Sequence, residues 1–247
     1  MKTILLGGTG GVGRELVKLL VNSSNYQKII LPVRRKLEEW NSFTEQQKSK
    51  MVIMIEENFD FLGDSKEDLE KRFGNEKIDS LFDCLGGTYT SNEALKKVDK
   101  IYAIYCSEIC EKLSINHFSI ISTNRASPDS SSYYNKIKGE ADEEILKKNI
   151  KYIDIYRPGI ILGRENAGCL ERFVGSLVCC CSTVTAQNVA KAMMINDINL
   201  LKPIGEEREL KEGYKKITRN NEINNIAERN AYIINKIKFN ILYFWYS

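Results

Sequence analysis

At 247 residues, the chain has the length of one α/β domain with a sizeable core and a small appended lobe. Its 43% hydrophobic and 28% charged content lies near globular averages. A formal net charge of +3, with lysines spread along the chain, leaves no footprint for nucleic acid. The longest apolar run, Ile241 to Tyr246, is too short to span a bilayer.

The amino terminus carries no secretory pattern, because Met1 and Lys2 lead straight into Ile4-Leu5-Leu6 and then glycines. The cysteines are Cys84, Cys106, Cys110, Cys169, Cys179, Cys180 and Cys181. An odd count without a framework spacing predicts reduced thiols and a cytoplasmic protein. Cys106 and Cys110 share a helix face. With one histidine, His117, and no Cys-x-x-Cys, no metal site is expected. The run Cys179-Cys180-Cys181 is read as packing or incidental thiols.

Lys2 to Leu6 reads as a short apolar strand, followed by a glycine-rich turn from Gly7 to Gly13. Val12, Leu16, Leu19 and Leu20 recur at helical spacing, and Asn22-Ser23-Ser24-Asn25 stops that helix. Lys28 to Val33 is a second strand. Pro32 should mark its end, since proline cannot donate to a ladder. Met51 to Ile55 is a third strand, followed by a polar helix from Lys66 to Phe73. Ile78 to Leu85 is a fourth, ending in Gly86-Gly87-Thr88. A long helix then covers Asn92 to Leu113, with Ala94, Val98, Ile101, Tyr105 and Ile109 as its buried face. That stripe fits packing on the sheet and a homodimer face equally well.

Phe118 to Ser122 is a fifth strand, with His117 just before it as an inert residue. A helix from Tyr133 to Lys148 places Glu140, Asp142, Glu143 and Glu144 ahead of Lys147 and Lys148, the order the helix dipole favours. Tyr152 to Tyr156 is a sixth strand, closed by Arg157-Pro158-Gly159. Gly163 to Ser182 reads as irregular and Ala186 to Met194 as a helix; beyond Asn196 periodicity weakens. Strands alternating with helices predict a mainly parallel sheet covered by helices.

The turn Gly7-Gly8-Thr9-Gly10-Gly11-Val12-Gly13 lies between a strand and a helix. A pyrophosphate needs close approach to free N–H groups at a helix N-terminus, and glycines permit it. The alternative is a tight turn with no ligand. The second strand then chooses between cofactors. An NAD site usually ends this strand in Asp or Glu, which accepts from the ribose hydroxyl. Here it ends in Arg34-Arg35-Lys36, and a guanidinium fork suits a 2′-phosphate. A solvated basic turn is the competing reading. The balance predicts NADP(H).

Tyr134 and Lys138 are four residues apart, on one helix face. A free tyrosine has a pKa of about 10. A neighbouring ammonium favours the phenolate, so the pair suits acid/base work on a carbonyl or alcohol oxygen. An ordinary amphipathic helix would also carry such a pair. Position argues for chemistry: the helix follows the fifth strand closely, and Ser122 and Thr123 at that strand's end offer hydroxyl donors.

The glycine loop, Cys84-Leu85-Gly86-Gly87-Thr88, Ser122-Thr123, Tyr134 with Lys138, and Arg157-Pro158-Gly159 together resemble the short-chain dehydrogenase/reductase superfamily. Arg34-Arg35-Lys36-Leu37, Lys138-Gly139-Glu140 and Asn220-Asn221-Glu222-Ile223 are similar to its atypical, NmrA-like branch, which includes the Tat-interacting oxidoreductase family. The resemblance implies an α/β, Rossmann-type doubly wound sheet of strand order 3-2-1-4-5-6 with a small C-terminal lobe. It implies an NAD(P)-binding domain over residues 1–226, with its substrate lobe from about residue 159, and a tail over 227–247.

The resemblance also assigns residues. Gly7, Thr9, Gly10, Gly11, Val12 and Gly13 would surround the pyrophosphate, and Arg34 and Arg35 the 2′-phosphate. Asp60 would approach the adenine. Leu85, Gly86, Gly87, Pro158, Gly159 and Ile160 would flank the nicotinamide. Tyr134 would be the general acid/base and Lys138 would bind the nicotinamide ribose. The hydroxyl pair is Ser122-Thr123, with Ser130-Ser131-Ser132 as an alternative source. Two functions fit. One is an NADPH-dependent oxidoreductase acting on a small carbonyl or alcohol. The other is a non-enzymatic NADP(H) sensor that regulates a protein partner.

Overall fold

The computed structural model describes residues 1–87, 89–163, 183–201 and 213–228. Its strands are β1 (Lys2–Leu6), β2 (Lys28–Val33), β3 (Met51–Ile55), β4 (Ser80–Asp83), β5 (His117–Ile121), β6 (Tyr152–Arg157), β7 (Ile160–Leu162), β8 (Thr183–Thr185) and β9 (Tyr214–Arg219). Seven form one sheet in the order β3-β2-β1-β4-β5-β6-β9, and every pairing in it is parallel. β7 and β8 pair separately. The first six strands follow the expected order. β9 was not legible, since its segment, Tyr-Lys-Lys-Ile-Thr-Arg, carries almost no apolar alternation.

Strand alternation gives the sheet two apolar faces. Leu5 of β1 and Phe82 of β4 point to one face, with helices α1 (Gly11–Asn22) and α7 (Ala186–Leu201) packed over them. Ile4, Leu6 and Leu81 point to the other, which is covered by α3 (Lys66–Phe73), α5 (Ala103–Lys112) and α6 (Tyr133–Leu146). Both faces are thus dry, as a parallel sheet requires. Pro32 is an interior residue of β2, not its end. It is tolerated because β1 pairs with β2 only through Ile30, leaving β3 as the remaining partner.

The predicted long helix is continuous but not uniform. It comprises a short α4 (Asn92–Lys96), a π-helical turn (Lys97–Tyr102) and α5. The π turn shifts the phase of the helix, so the expected face is off register. Ala94, Val98, Ile101 and Tyr105 are only half-buried. Asp99, Tyr102, Cys106 and Cys110 are buried instead, with Ile109. π turns of this kind recur at functional sites. A closing helix covers residues 220–228, which takes it two residues past the expected domain end. The region of Cys169 and Cys179 to Cys181, and the tail beyond residue 228, lie outside the described residues.

His117 is not inert. It is the first residue of β5 and fully buried, with Nδ1 2.6 Å from Asp197 Oδ1 and Nε2 3.3 Å from Asp154 Oδ2. Tyr26 donates to the other Asp197 oxygen at 2.5 Å, so the network ties α7 to the sheet. Burial alone would lower the imidazole pKa, but the two carboxylates outweigh it and raise it from 6.5 to about 9. A raised histidine stabilises the fold below its unfolded pKa and loses that contribution as pH climbs through its folded one. At 1.36 kcal/mol per unit, the loss is roughly 3 kcal/mol. Thermal melts from about pH 6 to about pH 10 should therefore fall steeply for the wild type and less steeply for His117→Gln. Parallel curves would remove the histidine from the account.

Candidate functional site

The C-terminal ends of β1, β2, β4, β5 and β6 lie along one edge of the sheet, where ligands bind in open α/β folds. Gly7 leaves β1 with φ +74, and its carbonyl accepts from Gly10 N at 2.9 Å. A Cβ on Gly7 would sit 2.8 Å from Leu85 N, and one on Gly13 would sit 2.7 Å from the Gly7 carbonyl carbon. The loop is therefore closed against the exit of β4, and α1 starts directly on it. α1 has Gly10 as its N-cap, with no capping side chain and no acid in its first turn. Its free N–H groups and positive dipole end suit an anion. Thr9 and Gly11 are half-buried, Gly10 is exposed, and Val12 turns into the core. Arg34, Arg35 and Lys36 stand exposed at the end of the neighbouring β2.

Lys138 is 4% exposed. Its ammonium donates to Asp99 Oδ1 at 3.0 Å and to the Ile121 carbonyl at 2.9 Å. Burial alone would depress the ammonium pKa, but Asp99, Tyr134 and Asp83 outweigh it and raise it. Tyr134, one turn earlier on α6, stays 41% exposed. Lys138 is thus a buried, protonated lysine one helical turn from a part-exposed phenol. α6 is pinned at Gly139, where a Cβ would sit 2.5 Å from Pro128 N. That glycine lets the helix touch the loop leaving β5.

The two hydroxyl candidates separate. Ser122 is buried and donates to Asp142 Oδ2 at 2.8 Å, an oxygen that also holds Arg157 Nε at 2.9 Å. This corrects Ser122 to a structural role. Thr123 is half-buried and is the better placed of the pair.

Asp60 is exposed and accepts from Tyr102 Oη at 2.6 Å, with Lys97 Nζ 2.7 Å away. It thus joins the turn after β3 to the π turn. Leu85 is half-buried and its N–H donates to Asp83 Oδ1 at 2.9 Å, while Gly86 and Gly87 are exposed, with room for a Cβ among the described residues. Pro158 is buried, and its carbonyl accepts from Asn124 N. Gly159 N donates to Asn220 Oδ1 at 2.9 Å, which ties the start of β7, at Ile160, to the closing helix.

Sequence reading missed Asp83 and Asp99. Asp83 ends β4 and is 3% exposed; burial pushes its carboxyl up to about 6, against the Leu85 N–H and Lys138, which lower it. Asp99 is 4% exposed and pairs with Lys138 through Oδ1. Tyr89 is half-buried beside it, and burial together with the Asp99 charge pushes the phenol far up. An acid closing an otherwise apolar strand was a usable signal for Asp83. Asp99 had none, because the π turn put it out of phase.

Among known proteins, no family model matches the chain. It is 28% identical over 167 residues to the protein FMP52, mitochondrial, of Meyerozyma guilliermondii, covering 68% of each chain. It is 26% identical over 180 residues to the protein HTATIP2 of Rattus norvegicus, covering 70% of each. The chain is thus similar to these two proteins over about two thirds of its length. Solved structures share the fold. The oxidoreductase ylbE of Lactococcus lactis superposes with a TM-score of 0.59 at 22% identity, over 91% of this chain and 95% of that one. A UDP-glucuronic acid 4-epimerase of Bacillus cereus, in complex with NAD, gives 0.61 at 14% identity, over 89% and 76%.

The yeast relatives also correct the cytoplasmic assignment, because they are named as mitochondrial. Reduced cysteines report a reducing environment and do not distinguish one such compartment from another. Among the described residues no helix is long and apolar enough to cross a membrane.

Proposed function

We propose that the protein is an NADPH-dependent oxidoreductase that moves a hydride to or from a carbonyl or alcohol carbon. The observation that carries this reading is the Tyr134/Lys138 pair, exposed phenol over buried ammonium, at the same sheet edge as the uncapped start of α1. The cofactor, when bound, supplies or takes the hydride. The loop from Gly7 to Gly13 would hold its pyrophosphate. Arg34 and Arg35 would hold the 2′-phosphate, and Leu85, Gly86, Pro158 and Gly159 would border the ring.

In reduction, Tyr134 Oη gives its proton to the substrate oxygen; in oxidation it takes one. Lys138 favours the phenolate that remains. Thr123 donates a hydrogen bond to the same substrate oxygen. A second reading, a sensor of NADP(H) that regulates a protein partner, is favoured by one feature. Asp99 already claims the Lys138 charge, which weakens its pull on Tyr134.

The cofactor choice is tested by Arg34→Ala combined with Arg35→Ala. Each charge-assisted bond is worth about 1.5–3 kcal/mol, less where water competes. NADPH binding should weaken by about tenfold to a hundredfold, and NADH binding by much less. Equal weakening of both would contradict a phosphate role.

A further inference from the structure

The two edges of the main sheet are unlike. β9, at one end, carries Lys215, Lys216 and Arg219. Charges of that kind discourage a further strand from pairing. β3, at the other end, reads Met-Val-Ile-Met-Ile, with no charge, proline or glycine. Among the described residues it pairs only with β2. Its Val52 and Ile55 are 38% and 62% exposed. They point to opposite faces of the sheet, so the edge is apolar on both sides.

The backbone of this edge is open as well. The Lys50 carbonyl accepts from Ile29 N at 2.7 Å, and Glu56 N donates to the Val33 carbonyl at 2.9 Å. Even-numbered residues here therefore turn their N–H and C=O toward β2. The odd-numbered ones, Met51, Ile53 and Ile55, turn theirs away from the sheet.

These groups are complementary to a second copy of themselves. With an antiparallel strand across a two-fold axis at Ile53, that residue faces the partner's Ile53, and Met51 faces the partner's Ile55. Both are pairs of outward-turned residues, and such pairs exchange two hydrogen bonds each. Val52 faces the partner's Met54, an apolar pair. Lys50 faces the partner's Glu56, so opposite charges meet at both ends. Sliding the strands by two residues either way sets a charge against an apolar residue. Each ion also has a partner within its own chain, the Val21 and Ser23 carbonyls for Lys50 and Arg72 for Glu56. The charges thus set the register, while the strand bonds and apolar contacts carry the affinity.

We propose that two copies of the protein pair through β3, edge to edge and antiparallel, into a two-fold dimer with one continuous sheet. A contact of this kind closes on itself, whereas β3 against β9 would run head to tail and stay open. The contact is short and falls at the low end of interface sizes, so a dimer of micromolar stability is expected.

Sedimentation velocity of the full chain from about 1 to about 200 μM, with amide hydrogen exchange at both extremes, tests this. The wild type should pass from monomer to dimer across that range. The amides of Met51, Ile53 and Ile55 should exchange severalfold more slowly at the higher concentration. Ile55→Pro removes an outward N–H that β2 does not use and sets a ring where the partner strand would lie. It should keep a native circular dichroism spectrum and stay monomeric throughout. Should it fail to fold, Ile55→Lys, which puts a charge on the exposed edge, decides in its place. A wild type that stays monomeric overturns the proposal. So does a dimer that survives the folded variant, since its interface would lie on another face. Equal protection of the three amides at both concentrations overturns it too, because the edge would then be covered by the chain's own residues.

Discussion

Gly13→Ala should lower stability by at least about 2 kcal/mol and abolish dinucleotide binding. Two effects compete. Alanine in place of glycine within a helix gains up to about 1 kcal/mol, and Gly13 is a helical residue of α1. Against this, the new Cβ would sit 2.7 Å from the Gly7 carbonyl carbon and 3.0 Å from Gly8 Cα, with the Gly7 carbonyl oxygen nearer still. These are backbone atoms, so no rotamer change relieves the clash. Gly7 cannot retreat, since it sits at φ +74 against the exit of β4. Overpacking costs about 1–3 kcal/mol even where side chains can shift, and more where the backbone must move.

For a chain of this size each kcal/mol moves the melting temperature by about 2–4 °C, so a fall of at least about 4 °C is expected. Gly87→Ala is the control: none of the described residues lies within 4 Å of its added Cβ, and its melting temperature should be unchanged. If Gly13→Ala melted like the wild type and still bound NADPH, the loop would not be packed as described.

Tyr134→Phe should lower kcat by about 10² to 10⁴, the usual contribution of a positioned acid or base. The change removes one oxygen from a side chain that is 41% exposed, so folding should be unaffected. Dinucleotide affinity should change by less than about threefold, because the phosphates lie on other elements. Steady-state kinetics beside a direct binding titration separates these effects. Equal loss in kcat/KM and in dinucleotide affinity, with kcat unchanged, would make Tyr134 a binding residue and not an acid/base.

The sheet was largely legible because its signals are local. Six strands announced themselves as apolar runs, and the glycine turn sat where β1 had to end. The phase of the helix after Asn92 was not legible, since a π turn is set by packing against the sheet and leaves no periodic mark. That single shift hid Asp99, and with it the buried partner of Lys138. Ser122 was misjudged for a related reason. Its partners Asp142 and Arg157 come from α6 and β6, and only the tertiary fold brings them to its hydroxyl. His117 likewise depended on Asp197, far along the chain on α7. The relative placement of Tyr134, Lys138 and the glycines was legible because a helical repeat or a tight turn fixes it locally.

The central claim is that this edge turns over a dinucleotide and does not merely hold one. Its most direct test is to mix the wild-type protein with NADPH and a panel of aldehydes and ketones, and with NADP⁺ and the matching alcohols, while following the absorbance of the reduced nicotinamide. The account predicts a change in absorbance with at least one substrate, and its loss in Tyr134→Phe. Tight binding of the dinucleotide with no turnover on any substrate, the same in wild type and Tyr134→Phe, would contradict it.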